Sequence, residues 1–133
     1  MKRPTFKSLK NKAWKVFSEW VRRKDADEGG TERCYTCGAL FHWKQLQCGH
    51  AIPGRHHAVL LDEEICRPQC PVCNVWRGGN YHIFATKLIK ENGMEWWERK
   101  LEGARRIVKL TRSDLEDIIQ TYKQKLEAIT RNP

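Results

Sequence analysis

Six cysteines and one histidine-rich run carry the chemistry open to this sequence. Cys34-Tyr35-Thr36-Cys37 and Cys70-Pro71-Val72-Cys73 are two Cys-x-x-Cys pairs with 32 residues between them. A two-residue gap lets both sulfurs of a pair reach one ion, and two such pairs supply the four corners of a tetrahedral zinc site. A redox dithiol would need a strand–helix context that neither pair has. Zinc held by Cys34, Cys37, Cys70 and Cys73 would contribute roughly 10 kcal/mol or more of folding free energy.

Between the pairs runs Cys48-Gly49-His50-Ala51-Ile52-Pro53-Gly54-Arg55-His56-His57, and Asn74 directly follows the second pair. Zinc would draw these segments together. A histidine titrates near neutrality, so His50 can take a proton from water. The carbonyl of Asn74 can help hold a divalent ion that offsets charge on a phosphate. A structural or surface role suits a histidine in a zinc module equally well. Cys48 and Cys66 are left over. They could join His50 and His56 or His57 in a second zinc site, or serve as small buried apolar residues.

The elements that must position these groups are legible in part. Leu9, Ala13, Val16, Phe17, Trp20 and Val21 recur on one face of a helix predicted over residues 5–24. Asp25 to Gly30 reads as a turn. The loop-rich segment 31–80 admits two short strands, around Phe41–Gln47 and Ala58–Leu61, with Pro53-Gly54 between them. Helical patterns follow from Asn80 to Lys90, stopped by Asn92-Gly93, and from Glu95 to about Val108, with Trp96, Trp97, Leu101 and Ile107 as its apolar face. A last helix starts at Ser113 with Glu116 completing a capping box. Its stripe of Leu115, Ile118, Ile119, Tyr122, Leu126 and Ile129 would pack on the first helix or serve a dimer.

With 133 residues, 40% hydrophobic and six tryptophans, the chain is one domain's worth and too apolar to be disordered. No apolar run is long enough to span a membrane, and the N-terminus lacks a secretory core, so a cytoplasmic protein is expected. The net charge is +9, and its placement is uneven. Residues 1–24 hold nine basic residues and one acid; the rest of the chain is nearly balanced. A polyanion, most simply nucleic acid, is the economical partner, although a solvated basic face has the same composition. Lys7, Lys10, Lys12, Lys15, Arg22 and Arg23 on the first helix, with Arg55, Arg67 and Arg77, are the expected phosphate contacts. Trp43 and Trp76 could stack on unpaired bases. The helical tryptophans Trp14, Trp20, Trp96 and Trp97 read as core.

The order of these elements resembles the NinG (Rap) family of phage recombination proteins. The matching residues are Cys34, Cys37, Gly49-His50, Gly54-Arg55, Gln69-Cys70, Cys73-Asn74 and Gly79-Asn80. Ser8-Leu9-Lys10-Asn11-Lys12-Ala13-Trp14, Phe17-Ser18-Glu19 and Tyr122-Lys123-Gln124-Lys125-Leu126 extend the likeness over roughly residues 5–128. The resemblance implies an HNH, or His-Me finger, nuclease. That is an α+β fold with a zinc-stapled ββα-metal finger over 31–93, a basic helix and linker over 1–30, and C-terminal helices over 94–133. It implies His50 as general base, and His50 and Asn74 at a catalytic Mg²⁺ or Mn²⁺. The implied substrate is branched DNA, such as Holliday junctions and D-loops. A zinc-containing DNA-binding accessory protein without catalysis is the alternative. Junction substrates favour a two-fold dimer.

Two positions depart from the HNH pattern. Many of these nucleases carry an acid just before the His, where this chain has Gly49. The central Asn that orients the His is replaced by Ile65. Glu63, Glu64, His56 and His57 are the nearby side chains able to substitute.

Overall fold

The computed structural model describes residues 3–54 and 57–131. Arg55 and His56, an expected phosphate contact and an expected spare ligand, lie outside the described residues. Helix α1 spans Phe6–Arg23. It starts where the Thr5 hydroxyl accepts the amide of Ser8 at 3.0 Å, a side-chain cap. Leu9, Ala13, Phe17 and Val21, four residues apart, form its buried face. Arg22 and Arg23 sit in its last turn, where the helix dipole favours cations.

Two small antiparallel sheets follow. Strand β1 (Thr31–Arg33) pairs with β2 (Leu40–His42). Strand β3 (Gln47–His50) pairs with β4 (Cys66–Gln69), with Cys48 opposite Pro68 and His50 opposite Cys66. Both predicted strands need correction. The first breaks into two, because a 3-10 turn at Trp43–Gln45 intervenes. That turn is fixed by the His42 ring, which accepts the Lys44 amide, and by Gln45, which accepts the His42 amide. The second, Ala58–Leu61, is helical: α2 spans His57–Leu60 and buries Val59. A four-residue apolar run does not distinguish strand from helix by period. The true partner of β3 is β4, which has no alternating apolar pattern.

Helix α3 spans Tyr81–Asn92 and ends at Gly93, whose φ of +94° favours glycine. Helix α4 spans Met94–Ala104, and α5 spans Arg112–Arg131. The α5 cap is Thr111 with Asp114, each accepting the other's amide, rather than Ser113 with Glu116. Ile107 lies beyond the end of α4 and is 91% exposed, so it does not join the face of Trp96, Trp97 and Leu101. The α5 stripe packs on α1 within the chain. Leu115 and Ile119 meet Leu9 and Ala13, and Tyr122 stands edge-on to Phe17 at 5.1 Å.

Phe17 and Val21 of α1, Ile65 before β4, Phe84 and Leu88 of α3 and Tyr122 of α5 share one core. The fold is thus a mixed one, helices around a small sheet, as the α+β expectation has it. The basic helix packs directly against the β3–β4 hairpin. Among the described residues no helix is long and apolar enough to cross a membrane.

Candidate metal centre and nucleic-acid cleft

The sulfurs of Cys34, Cys37, Cys70 and Cys73 all lie within 4.8 Å of one another. A tetrahedral ion with metal–sulfur distances of about 2.3 Å needs sulfur–sulfur edges of about 3.8 Å. The Cys37–Cys70 separation is 3.8 Å. Cys34, Cys70 and Cys73 are buried and Cys37 is exposed. Burial and the neighbouring thiols Cys73, Cys34 and Cys37 push the Cys70 thiol up. Burial opposes ionisation of Cys34 as well, but hydrogen bonds from the Cys70 backbone and the Thr36 hydroxyl lower it on balance. Four crowded sulfurs cannot all ionise without a cation between them. The cluster could hold a metal such as zinc.

Gln69 latches this centre to the rest of the fold. Its side chain is fully buried, and its Nε2 donates to Thr36 Oγ1 at 3.1 Å and to the Gly79 carbonyl at 2.8 Å. Thr36 in turn contacts the Cys34 sulfur, and Asn80 donates to the Cys73 sulfur at 3.8 Å. The residue types of the Gln69-Cys70 and Gly79-Asn80 pairs thus have a shared structural reason. They hold two thiolates and join the two knuckles.

His50 stands on β3, one strand from this latch. Its ring stacks on Trp14 of α1, with centroids 5.5 Å apart and planes 16° apart. Its Nε2 lies 3.0 Å from the Leu60 carbonyl. A carbonyl only accepts, so Nε2 carries the hydrogen and the lone pair of the neutral ring is at Nδ1. Asn74 lies in a π-helical turn, Val72–Trp76, that wraps the second cysteine pair. Its Nδ2 donates to Gln47 Oε1 at 2.7 Å. That bond leaves Oδ1 as the atom able to ligate a cation.

Both residues line one cleft of about 840 Å³. Lys7, Lys10, Asn11 and Trp14 of α1 form one wall, at helical spacings of three, four and seven. Val75 and Tyr81 join Asn74 and His50 on the rest of the lining. The described lining has no Asp or Glu. Trp14, expected in the core, packs against it and also lines the cleft, whereas Asn11, Gln47 and Tyr81 were passed over as site residues. The spacing of Lys7, Lys10, Asn11 and Trp14 was the available signal for the first two.

Among the described residues, the other expected phosphate contacts do not line this cleft. Lys12 sits beside Lys123 of α5, whose proximity lowers it, and Lys15 is exposed. Arg22 donates to Ser18 and lies over the Trp43 ring at 5.4 Å. Arg23 pairs with Glu19 at 3.2 Å and also covers Trp43. Arg67 donates to the carbonyls of Glu63, Glu64 and Cys66. Arg77 is exposed at the end of the π-helical turn. Trp43 thus lies close to several cations, whereas Trp76 is 83% exposed.

Among the described residues, the side chains able to stand in for the missing Asn are engaged elsewhere. Glu63 accepts from Tyr122 and Lys125, Glu64 from Lys100 and Trp96, and the His57 ring from the Leu110 amide. Ile65 is buried in the core, and its carbonyl accepts the Ala51 amide. The Leu60 carbonyl and Trp14 both contact the His50 ring. Cys48 and Cys66 lie in the same apolar core, and burial pushes the Cys66 thiol up. Among the described residues no metal-type grouping includes either of them.

No curated protein and no solved structure matches the chain. A family model described as bacteriophage lambda NinG protein matches residues 2–132. That span takes in α1, the cysteine centre, the cleft and α5, and the chain belongs to the NinG family.

Proposed function

We propose that this chain is a metal-dependent endonuclease that cuts phosphodiesters in branched DNA during phage recombination. The observation that carries the reading is the convergence of His50, Asn74, Lys7 and Lys10 on one cleft. In it, zinc on Cys34, Cys37, Cys70 and Cys73 is structural. It fixes the π-helical turn that carries Asn74 against the strand that carries His50. The β3–β4 hairpin, that turn and α3 would form the finger of an HNH nuclease.

His50 acts as the general base. The Leu60 carbonyl keeps Nε2 protonated, so Nδ1 receives the proton of the attacking water. Trp14 holds the ring plane through the transfer. One lone pair cannot both receive a proton and bind an ion, so the ligand role falls to Asn74 rather than to His50. Asn74 would hold Mg²⁺ or Mn²⁺ through Oδ1, with Gln47 fixing the amide. The bound ion would offset charge on the scissile phosphate. With no carboxylate on the described lining, the anionic ligands come from DNA itself. Lys7 and Lys10 bind flanking phosphates.

One observation favours a catalytically silent DNA-binding accessory protein instead. The space where an acid before His50 would sit is filled by Gln69. The experiment that separates the readings offers a labelled four-way junction beside a matched linear duplex, with Mg²⁺, Mn²⁺ or EDTA. Metal-dependent nicking of the junction is the expected result. Tight junction binding without cutting under any metal supports the silent module. A homodimer is part of the reading, and the mass of the junction complex tests it.

A further inference from the structure

We propose that Trp76 recognises the branch itself, by stacking on a base that has left the helical stack at the branch point. The inference rests on the DNA-cleft reading above and goes beyond it by naming the residue that separates branched from linear DNA.

Trp76 is the one tryptophan with its ring in solvent among the described residues, at 83% exposed. The other five are engaged. Trp14 stacks on His50, Trp20 meets Tyr122, Trp43 lies under Arg22 and Arg23, and Trp96 and Trp97 pack on the core. An indole offers a large apolar face, and leaving it in water is costly unless a ligand covers it.

The mount of this indole is rigid. Asn74 N bonds the Cys70 carbonyl, Arg77 N the Val72 carbonyl and Gly79 N the Cys73 carbonyl, at 2.8–2.9 Å. The backbone on both sides of Trp76 is therefore tied to the cysteine centre. The turn is π-helical, a local geometry that recurs at functional sites. Asn74 and Val75, just before Trp76, line the cleft, and exposed Arg77 follows it.

The surroundings select the occupant. Lys7 and Lys10 in the cleft and exposed Arg77, next to Trp76 in the chain, call for a polyanion that also offers a flat apolar face. An unstacked nucleobase offers both, whatever its identity, because every base has a π-face. A linear duplex keeps its bases stacked and gives Trp76 nothing to cover.

The test uses the zinc-loaded full chain, a four-way junction with 2-aminopurine at the branch point, and a matched linear duplex. Wild type, Trp76→Ala and Trp76→Phe are titrated, with zinc content and unfolding midpoint checked for each. The expected result is junction affinity lower by about ten-fold or more in Trp76→Ala. Duplex affinity should stay within about two-fold, Trp76→Phe should recover most of the loss, and the 2-aminopurine signal should change with wild type alone or with Trp76→Phe. Equal junction affinity in wild type and Trp76→Ala overturns the inference. So does an equal loss on junction and duplex, an absence of DNA binding by wild type, or a change confined to self-association. Cutting distinguishes the two levels. A junction that Trp76 discriminates but the protein never cuts sinks the nuclease reading alone. A junction cut as well by Trp76→Ala as by wild type sinks the Trp76 inference alone.

Discussion

A side chain at Gly49 would collide with Gln69: a Cβ there would sit 1.9 Å from Gln69 Oε1. The position just before His50 is therefore closed to an acid by the residue that latches the cysteine centre. The departure at Gly49 and the presence of Gln69 are one structural fact. Gln69 cannot swing away cheaply, since it would give up its bonds to Thr36 and Gly79. Gly49→Ala should lower stability by about 2–3 kcal/mol, the worth of two buried hydrogen bonds and some strain. Urea unfolding of the zinc-loaded protein measures this. Gly49→Ala combined with Gln69→Ala should cost less than the sum of the two single changes, because the collision is absent. Strict additivity would show that the two residues do not meet.

Chelation should unfold the segment around the cysteine pairs. Zinc analysis should find one ion per chain. Cys48→Ala with Cys66→Ala should keep that ion, and Cys73→Ser should lose it. Affinity should fall as pH falls, because the thiols must lose protons to bind and Cys70 is held above its ordinary value. Two ions per chain would restore the second-site reading of Cys48 and Cys66.

Lys7 and Lys10 should matter more for DNA than Arg22 and Arg23. Lys7→Ala with Lys10→Ala should reduce the log–log salt slope of junction binding by about two. Arg23→Gln should leave that slope near the wild-type value, since Arg23 pairs with Glu19 and covers Trp43. A slope near zero for wild type would refute the basic wall altogether.

With no Asp or Glu on its described lining, the cleft should bind the proposed divalent ion poorly until DNA arrives. Mn²⁺ titration followed by electron paramagnetic resonance should show little binding to the protein alone. A bound signal should appear when an uncleaved junction analogue is added. Tight Mn²⁺ binding without DNA would place acidic ligands at the cleft and overturn the DNA-supplied ligand set.

Lys100 ties α4 to the turn before β4 through Asp62 at 3.0 Å and Glu64 at 3.1 Å. A hydrogen bond from Lys100 holds Glu64 below its ordinary 4.5. Burial opposes the Lys100 charge, but Asp62 and Glu64 outweigh it and raise Lys100 above its ordinary 10.5. A lowered carboxylate stabilises above its unfolded value and loses that contribution as pH falls through its folded value. A raised lysine stabilises below its unfolded value and loses that contribution as pH rises through its folded value. Lys100→Met should therefore cost most between about pH 5 and 10 and less in acid. Thermal melts at pH 3.5 and 7 compare the two.

The sequence carried the helices and the cysteine centre, and the structure explains why. Leu9, Ala13, Phe17 and Val21 bury one strict helical face, and the two cysteine pairs need only their spacing. The strands were harder. Gln47–His50 and Cys66–Gln69 are four residues each, with no alternating apolar pattern, and β4 runs directly into the second cysteine pair. The partners of His50 were the least legible. A backbone carbonyl at Leu60 has no signature in sequence, and Trp14 looks like any other apolar position of a helix. Asn74 was found because it adjoins Cys73; Gln47, which holds it, lies 27 residues away.

The proposed base of the metal-dependent nuclease is His50. Single-turnover nicking of a four-way junction in Mn²⁺, with zinc content matched, tests it most directly. His50→Ala and Asn74→Ala should each slow nicking by about 10² or more while junction affinity stays within a few-fold. Wild-type nicking that survives His50→Ala unchanged, or junction binding without nicking in any metal, would contradict it.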